Sequence, residues 1–279
     1  MVNIYDAIIV GGGIVGTTIT LALQNAGYKT LLLDSNESLG GTRASGGHLR
    51  PEWFGGMPKQ EYEPAMQLLS EVWSMIEEQF LFDNKHLTTV YRVDTDKVVE
   101  TSRRIRVTSK VSQLQSLEAY PRVKHEKGED RCRLLVVAAG IWTDLLIPSI
   151  KVKGKQGASF RFKGTLDQPI IKPWAPYKQV VAHQQALGEI WVGDGSTILA
   201  KNWNNSRTSS CLQHCVEATG ISSQGCKIML GIRPYCEAPD ADPCLLKKVY
   251  PRVWVATGAG KSGTIAAGWA ARRILDACN

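Results

Sequence analysis

The chain is predicted to be an α/β protein built on a parallel sheet, and three stretches carry that prediction. The first is Ile8-Ile9-Val10-Gly11-Gly12-Gly13-Ile14-Val15-Gly16, continued by an alanine- and leucine-bearing segment to Gly27 and by Lys29-Thr30-Leu31-Leu32-Leu33-Asp34. It reads as strand, glycine turn, helix and second strand. The next is Leu134-Leu135-Val136-Val137-Ala138-Ala139-Gly140, a continuous apolar run such as a strand covered on both faces shows. The last is Val253-Trp254-Val255-Ala256-Thr257-Gly258, which leads into a helix predicted from Thr264 to Leu275.

The glycine turn has a physical logic. Gly11 permits the tight turn, Gly13 lets the backbone approach a pyrophosphate, and Gly16 lets the helix pack closely on the sheet. The helix start, with Ile14 and Val15, offers unpaired N–H groups and partial positive charge to phosphates. Asp34 closes the second strand, 18 residues past Gly16, where a carboxylate can accept a ribose hydroxyl. The motif in this setting predicts dinucleotide binding. By itself it does not separate NAD from FAD.

Between these stretches, Leu69, Val72, Trp73, Ile76 and Phe80 recur at helical spacing, which predicts a helix from Glu63 to Phe80. Gln179 to Ala182 and Glu189 to Gly193 read as strands, and Asn202 to Ser206 as a loop. No internal repeat or low-complexity segment is present. The size suits one large or two modest domains. No run approaches the roughly 20 apolar residues that span a bilayer. Met1 leads into the first strand without a charged-then-apolar leader, so a cytosolic protein is expected.

The seven cysteines form no CxxC pair. Cys211, His214 and Cys215 could face one way on a helix, but no second ligand pair follows at zinc-type spacing; reduced thiols and no metal are expected. His48, His86, His125 and His183 are scattered and suggest no Ser/His/Asp order. Gly260-Lys261-Ser262 is not a phosphate loop, because Val255 stands where such a loop needs its first glycine. The net charge of +7 concentrates at Arg103-Arg104-Ile105-Arg106 with Lys110, at Arg122 to Arg133, at Lys151 to Lys163 and at Lys247-Lys248. Such clusters are either solvated faces or a polyanion footprint.

Five features stand in one order along the chain: the glycine fingerprint with Asp34, the turn Thr42-Arg43-Ala44-Ser45-Gly46-Gly47, the strand end Val136-Val137-Ala138-Ala139-Gly140-Ile141-Trp142, the strand Gly231-Ile232-Arg233-Pro234-Tyr235, and Thr257-Gly258-Ala259-Gly260-Lys261-Ser262-Gly263 before the last helix. In that order they resemble the FAD-dependent amine and amino-acid oxidoreductases of the D-amino-acid oxidase/glycine oxidase family. The resemblance implies a Rossmann-type FAD-binding domain of the glutathione-reductase kind, discontinuous over 1–57, 92–150 and 228–279. A smaller mixed α+β substrate domain would comprise 58–91 and 151–227.

It also implies site roles. Asp34 would take the adenosine ribose, and Arg43, Ser45, Gly46, Gly47, Ala139, Gly140, Trp142, Gly231, Gly258, Gly260, Ser262 and Gly263 would line the FAD. Arg233 would hold a substrate carboxylate, with Lys261, Tyr235 and His48 as further catalytic candidates; Arg50 follows in the same turn. No position compels covalent flavin attachment. The expected chemistry is hydride transfer from a carbon beside nitrogen to flavin N5. The substrate would be a free amino acid or secondary amine, or a glycine-like group on a DNA or tRNA base; the alternative is a flavin-binding module without catalysis. The chain is shorter than typical members, as if lid segments were trimmed to leave an open site.

Overall fold

A computed structural model describes residues 4–36, 39–49, 59–176, 178–236 and 244–278. Strand β1 (Ile4–Val10), helix α1 (Ile14–Asn25) and strand β2 (Thr30–Asp34) form the expected βαβ unit, with β1 and β2 parallel. A four-residue helix α2 (Gly41–Ala44) and the short strand β3 (His48–Leu49) follow. Helix α3 (Lys59–Val72) then leads into the hairpin β4 (Met75–Phe82) and β5 (His86–Val93).

This corrects the helix expected from Glu63 to Phe80, which ends at Val72. Beyond Ser74 the spacing of four between Ile76 and Phe80 fits a two-residue period equally well. Glu77 and Gln79 are exposed while Phe80 is fully buried, and the ladder runs from Met75↔Val93 to Phe82↔His86. Asp83 and Asn84 supply the turn in the left-handed region, at φ 48° and 55°.

Asp94 caps helix α4 (Thr95–Ile105) by accepting from the Asp96 and Lys97 N–H groups at 3.0 and 3.3 Å. Then come β6 (Arg106–Thr108), β7 (Val111–Gln115), β8 (Arg122–His125), β9 (Gly128–Val137) and a short helix α5 (Thr143–Leu146). The next strands are β10 (Lys153–Lys163), β11 (Ile170–Ala175), β12 (Lys178–Ala186), β13 (Glu189–Gly193) and β14 (Ile198–Leu199). Helix α6 (Asn205–Thr219), β15 (Lys227–Tyr235), β16 (Leu245–Tyr250), β17 (Val253–Thr257) and helix α7 (Gly263–Asp276) complete the chain.

Two sheets result. The first has the order β16-β17-β9-β1-β2-β6, with β8 also paired to β9 and β7 to β8. Its central strands are parallel and buried on both faces, which is why they read as unbroken apolar runs. Ile9, Leu32 and Val136 pack under α1 and α7, while Ile8, Leu33, Leu135 and Val137 pack with Val123, Ile147 and Ile150 on the opposite side. Helix α3 lies on α7, where a Cβ at Gly268 would press to 2.7 Å from Leu69 Cγ.

The second sheet has the order β14-β10-β13-β12-β11-β4-β5-β3, with β15 added on β10. One of its faces carries Phe160, Phe162, Val180, Ala182, Ile190 and Val192 against Cys211 and Cys215 of α6. The opposite face turns Ser159, Val181 and Trp191 toward a cavity beside the first sheet. Strand β15 is antiparallel to β10 from Tyr235↔Lys153 to Lys227↔Arg161, so the Gly231–Tyr235 stretch is hydrogen-bonded into the second sheet and not the first.

Candidate active site

The glycine turn does its work with backbone atoms. Gly11 takes φ +111° and donates to the Leu33 carbonyl at 2.8 Å. A Cβ at Gly11 would collide with the Ala138 carbonyl, and one at Gly16 with the Gly11 carbonyl, so both glycines are demanded by the packing of the turn itself. Gly13 differs. A Cβ there would meet only Thr42 Oγ1, at 3.3 Å, and its backbone opens onto the cavity. Thr42 Oγ1 in turn accepts the Ile14 N–H at 3.0 Å and holds the first turn of α1.

Asp34 is saturated. Its Oδ2 accepts the Gly12 N–H at 2.6 Å, and its Oδ1 accepts the Asn36 N–H at 2.8 Å and Arg106 Nη1 at 2.9 Å. Asn36 Oδ1 then gathers Arg43 Nη2 and Arg106 Nη2 at 2.7 and 2.8 Å. Burial, followed by the neighbouring Arg103 and Arg106 charges, lowers the Arg43 pKa, and Asp34 offsets part of that. Arg106 is therefore committed to this end of the cavity and is not part of an outward basic face.

The cavity holds about 810 Å³, within the roughly 300–1,000 Å³ common for cofactor and ligand sites. Of the residues expected from sequence, Gly11, Gly13, Ile14, Val15, Asp34, Arg43, Ser45, Gly46, His48, Ala139, Gly140, Trp142, Arg233, Gly260, Lys261 and Gly263 line it. Five motifs far apart in sequence thus meet on one space. The start of α7 also opens onto it through Gly263 and Thr264, presenting the positive end of that helix.

Six expected residues stand behind the lining. Gly16 packs on the Gly11 carbonyl. Gly47, at φ +69°, leaves room for the Val93 carbonyl and accepts the Val93 N–H at 3.0 Å. Gly231 makes space for Ala44, whose Cβ would lie 2.7 Å from an added Cβ, so its absent side chain serves the contact of β15 with α2. Gly258 makes the same allowance for Cys236 Sγ at 2.6 Å. Ser262 is buried as the N-cap residue of α7, and Tyr235 lies under Lys155 Nζ at 4.0 Å from the ring centre. Arg50 lies outside the described residues.

Register places Arg233. In β15 it pairs with Lys155, two residues along from Gly157 and four from Ser159, on the face that looks into the cavity. Burial pulls its pKa down and the Asp194 carboxylate partly restores it. The Arg233 guanidinium has no hydrogen-bond or ion-pair partner among the described residues. Elsewhere along the cavity, Ser159 Oγ and Trp191 Nε1 are buried polar atoms without a partner among the described residues, and both residues line it. Lys178 and Lys261 also line the cavity.

Sequence reasoning passed over several groups here. His183, scattered in sequence, is fully buried and hydrogen-bonded to His48. Trp191, Ser159 and Gln185 share its face of the sheet. Their signal was the inward polar alternation Val181-His183-Gln185, visible once the run is assigned to a strand with a wet face.

The cysteines are free thiols; burial pushes Cys132 and Cys211 up to about 12 and raises Cys215 as well. His214 turns to Asp194 at 3.1 Å and stacks on Trp174, and no group of three or more metal-binding side chains forms among the described residues.

A glycine-turned βαβ unit opening on a cavity that Arg233 also lines points to the class: a nucleotide-cofactor oxidoreductase of mixed α/β fold. The model of the family described as FAD dependent oxidoreductase matches residues 6–110 and 100–277, and the chain belongs to that family. It is an FAD-dependent enzyme. Solved structures agree in fold. Glycine oxidase from Geobacillus kaustophilus superposes with a TM-score of 0.75 at 14% identity, covering 99% of this chain and 94% of that one. Iminodiacetate oxidase from Chelativorans sp. BNC1 gives 0.70 at 14% identity, covering 95% and 93%. L-proline dehydrogenase from P. horikoshii gives 0.71 at 14%, covering 99% and 91%. No curated protein matches the chain in sequence. No helix among the described residues is long and apolar enough to cross a membrane.

Proposed function

We propose that the enzyme oxidises the C–N bond of a glycine-type amine, with Arg233 holding the substrate carboxylate. One observation carries this reading: among the described residues, a desolvated guanidinium lining the cofactor cavity has no acceptor of its own. A buried cation left unpaired is costly, and a carboxylate that accepts both arms of the planar fork removes the cost. The structural relatives named for glycine, iminodiacetate and L-proline support the same substrate chemistry.

The residues present fit FAD. The open backbone at Gly13 and the start of α1 suit the pyrophosphate, and Asp34 suits the ribose, its orientation fixed by Gly12 and Arg106. Bound flavin supplies the acceptor for the hydride leaving the substrate carbon. The chain's own part is placement. Arg233 anchors the carboxylate, the cation of Lys261 and the N-terminus of α7 favour negative charge at the reduced ring, and the wall of Trp191 and Val181 keeps water away.

Three arginines of the basic clusters already have acidic partners. Arg106 is spent on Asp34, Arg122 lies 3.7 Å from Glu129, and Arg133 lies 3.4 Å from Asp6. The test is anaerobic bleaching of the flavin by a panel of free amino acids and N-substituted glycines, beside DNA and tRNA carrying glycine-modified bases. Reduction by free amines is expected; reduction only by modified polymers moves the substrate to the nucleic acid, and no reduction by either overturns the reading.

A further inference from the structure

A chain of hydrogen bonds runs from the cavity wall to the surface. His48 Nε2 lies 3.0 Å from His183 Nδ1, His183 Nε2 lies 2.8 Å from Gln185 Oε1, and Gln185 Nε2 donates to Asp94 Oδ1 at 3.2 Å and Asp96 Oδ2 at 2.8 Å. The carboxylates accept only, so the amide nitrogen must face them and the amide oxygen must face His183. That oxygen accepts only, so His183 carries its proton on Nε2 and leaves Nδ1 as an acceptor. His48 Nε2 must then donate. The proton order of both rings is thus dictated from the surface inward.

The rings are built in tightly. His183 stacks on Trp191 at 5.3 Å between centroids, and His48 meets His183, Trp191 and Phe80 edge-on. Two glycines make this possible. A Cβ at Gly46 would strike the His48 ring, and one at Gly193 would lie 2.6 Å from the Trp191 ring. The charges facing the pair from other elements are already engaged. Arg92 on β5 bonds Glu78 on β4 at 3.0 and 3.1 Å, while Arg161 on β10 bonds Asp96 on α4 at 2.9 Å and lies 3.6 Å from Glu189 on β13.

We propose that His48 and His183 form one substrate-positioning unit, locked through Gln185 as neutral Nε2–H tautomers, in which His48 gives the substrate amine an uncharged patch of the same cavity that Arg233 lines. The inference rests on the amine reading above. Its sense is electrostatic: an imidazolium at this wall would repel a protonated amine, whereas the locked ring leaves the carboxylate and the amine to be sorted by Arg233 alone. Desolvation, reinforced by Arg92, holds His48 at about 3, and His183 is likewise well below its ordinary value, so the lock persists through the physiological range.

The test uses the FAD-loaded protein with ¹⁵N-labelled histidine. Ring NMR is expected to show both histidines as neutral Nε2–H tautomers down to pH 5; titration of either near 6.5, or a proton on His48 Nδ1, overturns the lock. Gln185→Met removes the directing oxygen. Because that oxygen favours a proton on His183, its loss frees the tautomer but leaves the ring harder to charge; flavin binding and kcat at saturating substrate are expected to hold while KM rises at least five-fold at every pH from 7.5 to 5.5. Gln185→Glu stabilises a charged His183 and is expected to make KM climb as pH falls, a slope that the parent and Gln185→Met both lack. KM profiles that stay parallel in all three proteins overturn the positioning role. Should no amine reduce the flavin, the NMR result still decides the proton order.

Discussion

The two ends of the cavity are built on opposite principles. At the Asp34 end nearly every polar group is satisfied within the protein: the carboxylate takes two backbone N–H groups and Arg106, and Asn36 joins Arg43 to Arg106, with Arg106 Nε the exception. Elsewhere along the cavity, among the described residues, the Arg233 guanidinium, the Ser159 hydroxyl and the Trp191 indole N–H stand without partners. A finished surface can receive the same molecule for the life of the protein. Unfinished groups call for a ligand that completes them and then leaves, because an unpaired buried donor costs about 1–3 kcal/mol until it is met.

The largest expected effect lies at the finished end. Gly13→Asp has room to fold, since an added Cβ meets only Thr42 Oγ1 at 3.3 Å, but its carboxylate points where phosphate must lie. Folded protein with no flavin absorbance is expected, checked by circular dichroism and the visible spectrum; a yellow variant would break the contrast at its root. Arg233→Ala probes the unfinished end. The flavin spectrum should stay intact while kcat/KM falls by about 2–4 kcal/mol, or roughly 30- to 1,000-fold. Unchanged efficiency would make this arginine structural.

Asp34→Ala should weaken FAD binding and lower stability together, by about 1–3 kcal/mol, because Gly12 N–H and the buried Arg106 lose their acceptor. Titration with FAD and thermal melts measure both. His183 offers a pH test. Its folded pKa lies below the unfolded value, so the folded state resists a proton that the unfolded chain takes up. Stability is therefore full above about pH 6.5 and is lost as pH falls below it, by up to about 1.4 kcal/mol per pH unit for this one group. Melts from pH 7.5 to 5 should show a shallower decline in His183→Phe than in the parent. The smallest effect belongs to neither end: Arg122→Gln breaks a half-exposed pair at 3.7 Å and should change stability by under about 1 kcal/mol and kcat/KM not at all.

The same contrast explains what could be read from sequence. The Asp34 end is local: a turn, one helix and two strands within about thirty residues, with glycines whose spacing has a single steric reason. Arg233, Lys261 and the small-residue strand ends were legible because they sit in short motifs in a fixed order. His183, Gln185, Asp94, Asp96 and Arg161 were not. They come together only through the pairing of β12 with β13 and of β13 with β10, and through the start of α4 reaching β10, none of which has a local sequence signature. The misjudged stretch from Ile76 to Phe80 has the same origin, since a spacing of four fits both periods until a partner strand is known.

Strand β15 is shared property. Nine of its residues pair with β10, yet Ile232 N–H reaches the Leu39 carbonyl at 2.9 Å and the Pro234 carbonyl takes the Gly260 N–H at 2.8 Å. Arg233 sits between those two ties. Any hinge that parted the sheets would have to break them, so the distance from the guanidinium to the loop that opens α7 behaves as a fixed gauge length. If Arg233 holds the substrate carboxylate as proposed, substrates are measured, not embraced: an amino acid whose α-carbon stands at the right remove from its carboxylate reaches the reacting position, and one lengthened by a methylene overshoots it.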